Sequence, residues 1–343
     1  MPAPGAGYRS NIETLRPQIR EMKSLTSKPF AVNLNLAFPQ EERLEACLEE
    51  RVPIISFFWG DSAKLISRAK AGGAMVMQTV SSANEARAAV RNGVDIIVAQ
   101  GWEAGGHVWG SVATMASVPA VVDAVSPVAV IAAGGISDGR GLAAALTLGA
   151  SGAWIGARFL ASTELDVRER YRERLVEACA TDTVYLQNLF DVGWPNAPHR
   201  ALRNRTVTEW EAAGRPESGN RPGEGDIVAI SESRGQIPRY SALAPPADVK
   251  GDIDALVMYA GQGVSLVKKL QPAGEIVSEI YAEACGMLGR LGAMSAKGYT
   301  GKPSSSALRQ RTKSLRDSPL KRGLPENGVT KDESVDSGRG GLS

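Results

Sequence analysis

The chain has 343 residues, enough for one large domain or two ordinary ones and for a sizeable core. Hydrophobic residues make up 43% and charged ones 22%, ordinary proportions for a globular protein, and no apolar run is long enough to span a membrane. The net charge of +2 is uneven: the segment from Gly301 carries nine Lys/Arg against five Asp/Glu, leaving a slightly acidic body with no sign of nucleic-acid binding.

The opening stretch lacks the charged and apolar regions of a signal peptide. Three distant cysteines, Cys47, Cys179 and Cys285, suit neither a disulfide framework nor a zinc site. A reducing, cytoplasmic setting is the expectation, with no metal. Oligomeric state is not legible.

Residues 1–162 repeat one pattern, a short run rich in Val, Ile or Phe followed by a helical stretch. Strands are predicted at 30–36, 53–58, 74–79, 95–100, 128–133 and 153–156, and helices at 41–50, 62–70, 84–92 and 139–148. Continuous apolar runs, rather than alternating ones, suit parallel strands covered by helices. Alternating strands and helices imply βα units. No GxGxxG follows an early strand, so a closed β/α (TIM-type) barrel is favoured over an open doubly wound sheet. The expected organisation is a barrel over 1–165, a mainly helical cap over 166–246, two closing helices within 247–297, at 254–270 and 276–291, and a disordered tail over 298–343.

Three glycine-rich segments carry the chemistry. GWEAGGHVWG (101–110) follows the 95–100 strand, at the strand end where barrels keep their active sites. Its Gly105 and Gly106 allow a backbone to approach a flat ligand. His107 is one of only two histidines and is the candidate catalytic residue, able to take a proton or steady an anion. AAGGISDG (132–139) and GAWIGARF (152–159) end two consecutive strands. Such paired turns commonly hold a phosphate by backbone N–H groups. His199, flanked by Pro195 and Pro198, reads as a loop residue, Cys47 as core, and Trp59, Trp154, Trp194 and Trp210 as packing, with Trp59 at a strand end able to touch the pocket.

These three segments, with KPFAVNLNL (28–36) and MYAGQGV (258–264), resemble the nitronate monooxygenases in motif and order across roughly residues 5–270. The resemblance implies an FMN-binding β/α barrel with a helical substrate cap. It implies that Asn33 and Gln78 approach the flavin and that Gly105 and Gly106 pass close to its ring. Ala133, Gly134, Gly135, Gly156 and Ala157 would hold the phosphate; Tyr259, Gly261 and Gln262 would line the flavin or cap side. His107 matches the family's catalytic histidine. The implied reaction is oxidation of a small alkyl nitronate by dioxygen to a carbonyl compound and nitrite. Two alternatives stay open: an FMN-dependent NAD(P)H:quinone or enoyl reductase on the same barrel, and a non-catalytic truncated remnant.

Two departures from the family pattern stand out. A GAGY segment that relatives place after a second strand falls here at residues 5–8, so the first one to two barrel strands are expected to be missing, leaving two open edges. Ala157 stands where relatives often have a hydroxyl residue, a change expected to weaken FMN binding by roughly 1–2 kcal/mol.

Overall fold

The computed structural model describes residues 12–296. The expected disordered tail lies outside the described residues. Of these, residues 12–291 belong to one compact unit, which holds the site.

Helix α1 (Ile12–Leu25) leads into strand β1 (Ala31–Asn35), which opens five βα units closed by a sixth sheet strand, in chain order: α2 (Glu41–Glu49), β2 (Ile54–Phe58), α3 (Ala63–Ala71), β3 (Met75–Val80), α4 (Ala83–Arg91), β4 (Ile96–Gln100), the short β5 (Gly106–His107), α5 (Thr114–Val125), β6 (Ala129–Ala133), α6 (Gly139–Thr147) and β7 (Gly152–Trp154). The six strands read from sequence are all present, each within one or two residues of its expected ends, in a parallel sheet ordered β1-β2-β3-β4-β6-β7. It curls into a half-barrel whose edges, β1 and β7, have no outer partner among the described residues. The sequence pattern singles out neither α1 nor α5, and each carries an internal proline, Pro17 and Pro119.

Strand alternation sorts the side chains. Leu34, Ile55, Phe57, Val76, Val80, Ile97, Ala99, Val130 and Ala132 pack against the helices, with Leu44, Cys47, Ile66, Ala86 and Val121, in the main core. The alternate set turns inward: Asn33, Ser56, Met77, Ile96 and Ala129 align across one level of the sheet, and Thr79, Val98 and Ile131 across the next. Helix starts are held by side chains: Ser82 accepts from the Glu85 N–H, and Asp138 accepts from Arg140 and Gly141.

The 166–246 region differs from the mainly helical cap read from sequence. It holds α7 (Glu169–Glu177), β8 (Thr183–Leu186), β9 (His199–Leu202), α8 (Arg205–Ala212), β10 (Ile227–Ser231) and β11 (Gly235–Pro238). Short β-branched and aromatic runs such as Thr183-Val184-Tyr185-Leu186 choose extended backbone, and Gly235 at φ 75° opens the β10–β11 pair. β12 (Lys250–Gly251) completes that second sheet.

The expected helix at 254–270 is absent. Its place is taken by 3₁₀ turns at Ile253–Ala255 and Gln262–Leu266 and by an extended crossing between them. That stretch bonds outward instead: Leu202 N–H donates to Met258 O (2.8 Å) and Gln262 N–H to Glu103 O (2.9 Å). The last helix, α9 (Ala273–Ala296), covers the predicted 276–291. No helix among the described residues is long and apolar enough to cross a membrane.

Candidate active site

A cavity of about 320 Å³ opens at the C-terminal ends of the half-barrel strands. β1, β3 and β4 send Asn33, Thr79 and Gln100 into it from their inward faces. The three glycine-rich segments converge on it, contributing Gly105 and Gly106, then Ala133, Gly134 and Gly135, then Gly156 and Ala157. Tyr259 and Gly261 close it from the 258–263 crossing. The structure thus brings together ten of the residues singled out from sequence.

Two glycine pairs make this closeness possible. Gly134 and Gly135 take φ of 104° and 70°, a region side-chain-bearing residues avoid. Gly105 and Gly261 face each other backbone to backbone: a Cβ on Gly261 would lie 2.7 Å from Glu103 O and 2.8 Å from the Gly105 amide nitrogen.

The 134–137 turn is a set of unclaimed donors. The N–H groups of Gly134, Gly135, Ile136 and Ser137, and that of Ala157, have no acceptor among the described residues. The helix α6 start behind them is already satisfied, by Asp138 at Arg140 and Gly141 and by Glu283 at Gly139 (2.8 Å). Ser137 lines the cavity and its hydroxyl is buried without a partner. Just beyond Ala157, Arg158 is buried with no carboxylate in ion-pair range among the described residues, donating to Gln271 and to Lys269 O. Burial holds its pKa below the usual guanidinium range. Unclaimed N–H groups and a free hydroxyl together suit a bound anion such as phosphate, while Arg158, outside the cavity lining, is engaged by Gln271, Lys269 O and the charge of Glu279. Ser137 brings a hydroxyl to the cavity, and Ala157 brings none.

His107 stands one residue past the cavity wall, and its side chain does not line the cavity. β5 pairs with β9, itself paired with β8, so His107 faces His199 across the ladder. His199 is therefore not a loop residue: Val108 N–H donates to Pro198 O, which draws the proline-flanked segment into a strand. The His107 ring stacks on Trp194 at 3.7 Å, with Tyr259 at 5.3 Å and Trp59 at 6.1 Å. Its Nε2 is buried without a partner, and its carbonyl accepts from Gln100 Nε2 (3.1 Å). Burial, aided by His199, pushes its pKa down to about 3. The imidazole is neutral at pH 7.

Two other expectations change. Gln78 faces the helices beside Val76 and Val80, where its Oε1 accepts from Ser62 Oγ (2.7 Å); Thr79, one residue on, meets the cavity. Gln262 serves through its backbone, bonding Glu103 O, and does not line the cavity. Trp154 lines the cavity and is 41% exposed, whereas Trp194 is buried against His107. Sequence reading missed Thr79, Gln100, Ser137 and Gly263. For Thr79 and Gln100 the inward alternation is the usable signal. For Ser137 it is a hydroxyl two residues past a Gly-Gly turn.

The fold and the cavity define an α/β half-barrel enzyme with an anion cradle at its strand ends and a histidine behind an aromatic wall. The sequence model for nitronate monooxygenases matches residues 35–283, and the chain belongs to that family. It is an oxidoreductase from a family of flavin-dependent enzymes. Among curated proteins, the Mycobacterium tuberculosis (3aS,4S,5R,7aS)-5-hydroxy-7a-methyl-1-oxo-octahydro-1H-indene-4-carboxyl-CoA dehydrogenase is 38% identical over 78% of this chain and 72% of its own length. A Staphylococcus aureus protein named "Probable nitronate monooxygenase" is 31% identical over 80% of this chain and 85% of its own. The structure of FabK from Thermotoga maritima superposes with a TM-score of 0.68 at 33% identity, covering 84% of this chain and 86% of FabK. A nitroalkane oxidase from Streptomyces ansochromogenes shares the fold, with a TM-score of 0.64 at 23% identity over 84% of this chain and 89% of that one.

Proposed function

We propose that the protein binds FMN in the strand-end cavity and oxidises alkyl nitronates with dioxygen, giving a carbonyl compound and nitrite. The observation that carries this reading is the set of unclaimed N–H groups around the buried, partnerless Ser137 hydroxyl. A phosphomonoester would satisfy them together. Gly105, Gly106 and Gly261 leave the backbone bare where a flat ring would lie. The bound flavin supplies one-electron chemistry that links the nitronate to dioxygen.

The chain's own task is to hold the anionic substrate and keep water away. His107, neutral at pH 7, acts as a hydrogen-bonding group toward a nitronate anion rather than as a fixed cation. Trp194 and Tyr259 hold the ring on two sides, and Tyr259 is itself tied by its hydroxyl to Ala242 O (2.8 Å). The test is His107→Asn in flavin-loaded protein. Nitronate oxidation should fall by roughly 10²-fold or more, with flavin content unchanged. An unchanged rate refutes the role.

A second reading, flavin-dependent dehydrogenation of a CoA thioester, is favoured by the 38% identical Mycobacterium protein and by the dehydrogenase of the same name from Rhodococcus jostii, 32% identical. Anaerobic bleaching of the flavin separates the two: by a nitronate under the first reading, by an acyl-CoA under the second.

A further inference from the structure

We propose that the protein carries a second ligand site that takes a flat, uncharged ring bearing a carbonyl or carboxamide group. The proposal does not depend on the flavin reading. A second hollow of about 460 Å³ lies at the same end of the sheet, between the loops after β2, β3 and β4 and the cap loop around residue 196. It shares no lining residue with the first cavity.

Its apolar walls are Trp59, Trp109 and Pro198. The two indoles meet at 4.6 Å and 69°, forming a corner of two flat faces. Phe58, which lines the first cavity, stacks on Trp109 at 5.4 Å and 12°, so one aromatic layer lies between the two spaces. Flat faces of this kind bind flat rings by offset or edge contact.

The polar groups select the ring's chemistry. The Gln78 Oε1 is fixed by Ser62 Oγ, which leaves its NH₂ with no acceptor among the described residues. The amide of Asn196 makes no hydrogen bond among them either. Two unclaimed amides beside two indoles suit a carbonyl acceptor on a ring. Glu85 is already engaged, accepting from Ser81 N–H (2.8 Å), Ser81 Oγ (2.8 Å) and Trp109 Nε1 (3.3 Å). It positions Trp109, and its charge disfavours anions in a hollow that no Lys or Arg lines. Phosphates and carboxylates are thereby excluded from the ring's seat.

The backbone is held to present these groups. Trp59 and Asn196 both take positive φ, 65° and 55°. For a bulky residue such as tryptophan that conformation is an outlier, and such outliers cluster at binding sites.

Quinones and nicotinamides share the required chemistry, and one titration separates them. Purified full-length protein is titrated calorimetrically with duroquinone, whose ring cannot add to the exposed Cys179 and Cys285 thiols, and with nicotinamide. At least one should bind with 1:1 stoichiometry, and the one that binds names the source. Asn196→Gly removes the amide while keeping the left-handed backbone that glycine adopts freely. Gln78→Glu keeps the acceptor for Ser62 and removes the donor. Each should weaken binding about five- to tenfold without altering flavin content, since neither residue lines the first cavity. Absence of binding by both probes, affinity unchanged in both variants, or benzoate binding as tightly as nicotinamide would each overturn the proposal.

Discussion

Gly105→Ala is the sharpest single test of how the site is assembled. A Cβ there would sit 2.5 Å from the Ala260 carbonyl carbon, 2.9 Å from Ala260 Cα, and closer still to the Gly261 amide nitrogen. All three are backbone atoms, so no side chain can swing aside. The 258–263 crossing must retreat by about 1 Å, an overpacking cost of roughly 1–3 kcal/mol. Its retreat also strains the Gln262 N–H to Glu103 O bond, worth about 1 kcal/mol if lost. The sum, about 2–4 kcal/mol, corresponds to a fall in Tm of several degrees. Because both segments line the cavity, flavin retention should fall in step. Gly106→Ala is the matched control: no atom lies within 4 Å of its Cβ, and only its φ of 75° opposes the change, at about 1 kcal/mol. Differential scanning calorimetry and flavin fluorescence on the two variants decide the matter. Equal effects from both, or a Gly105→Ala protein with unchanged Tm and flavin affinity, would refute the close crossing.

Three further outcomes follow from the same geometry. Ser137→Ala should loosen FMN about five- to tenfold, measured by quenching of flavin fluorescence, because it removes the free hydroxyl in the cradle; unchanged affinity would remove Ser137 from the phosphate site. His107 should remain neutral at pH 5 in ring-selective NMR of the ligand-free protein, with His199→Asn assigning the second of the two histidines. Its folded pKa, about 3, lies below the unfolded 6.5, so the unfolded chain binds the extra proton and stability is lost as pH falls from 6.5 toward 3. A midpoint near 6.5 would contradict the burial. Arg221, with its side chain 1% exposed, bonds Asp191 and Glu224 and lies 4.3 Å over Tyr240, so Arg221→Met should cost about 3–5 kcal/mol. The Arg221 guanidinium holds Glu224 at a pKa of about 2, so that contribution is complete above pH 4.5 and is lost as pH falls toward 2. Denaturant melts across that range should show the slope in the parent and its loss in the variant; a slope retained in Arg221→Met would assign it elsewhere.

The parallel sheet was legible because each strand is a continuous apolar run closed by turn residues, and that signal is local. The cavity was legible for a related reason: its glycines stand at strand ends, and strand ends of such a sheet share one face. Gln78 shows the limit. Reading that a strand approaches the site does not say which of two adjacent residues points inward, and Val76 and Val80 in the helix-facing core put Gln78 on their side. His199 was illegible because its strand exists only through β5 and β8, pairings from distant parts of the chain. The 254–270 segment has helical composition, yet its donors and acceptors are taken by Glu103 and Leu202, a non-local competition that propensity does not record.

The ladder between β5 and β9 ties the histidine to a segment some ninety residues downstream, in addition to the single bond it accepts from Gln100 of the preceding strand. Chimeras between relatives should therefore exchange residues 105–108 together with 183–202. Grafting the downstream portion alone would carry over a new specificity while leaving the imidazole without the rail that aims it.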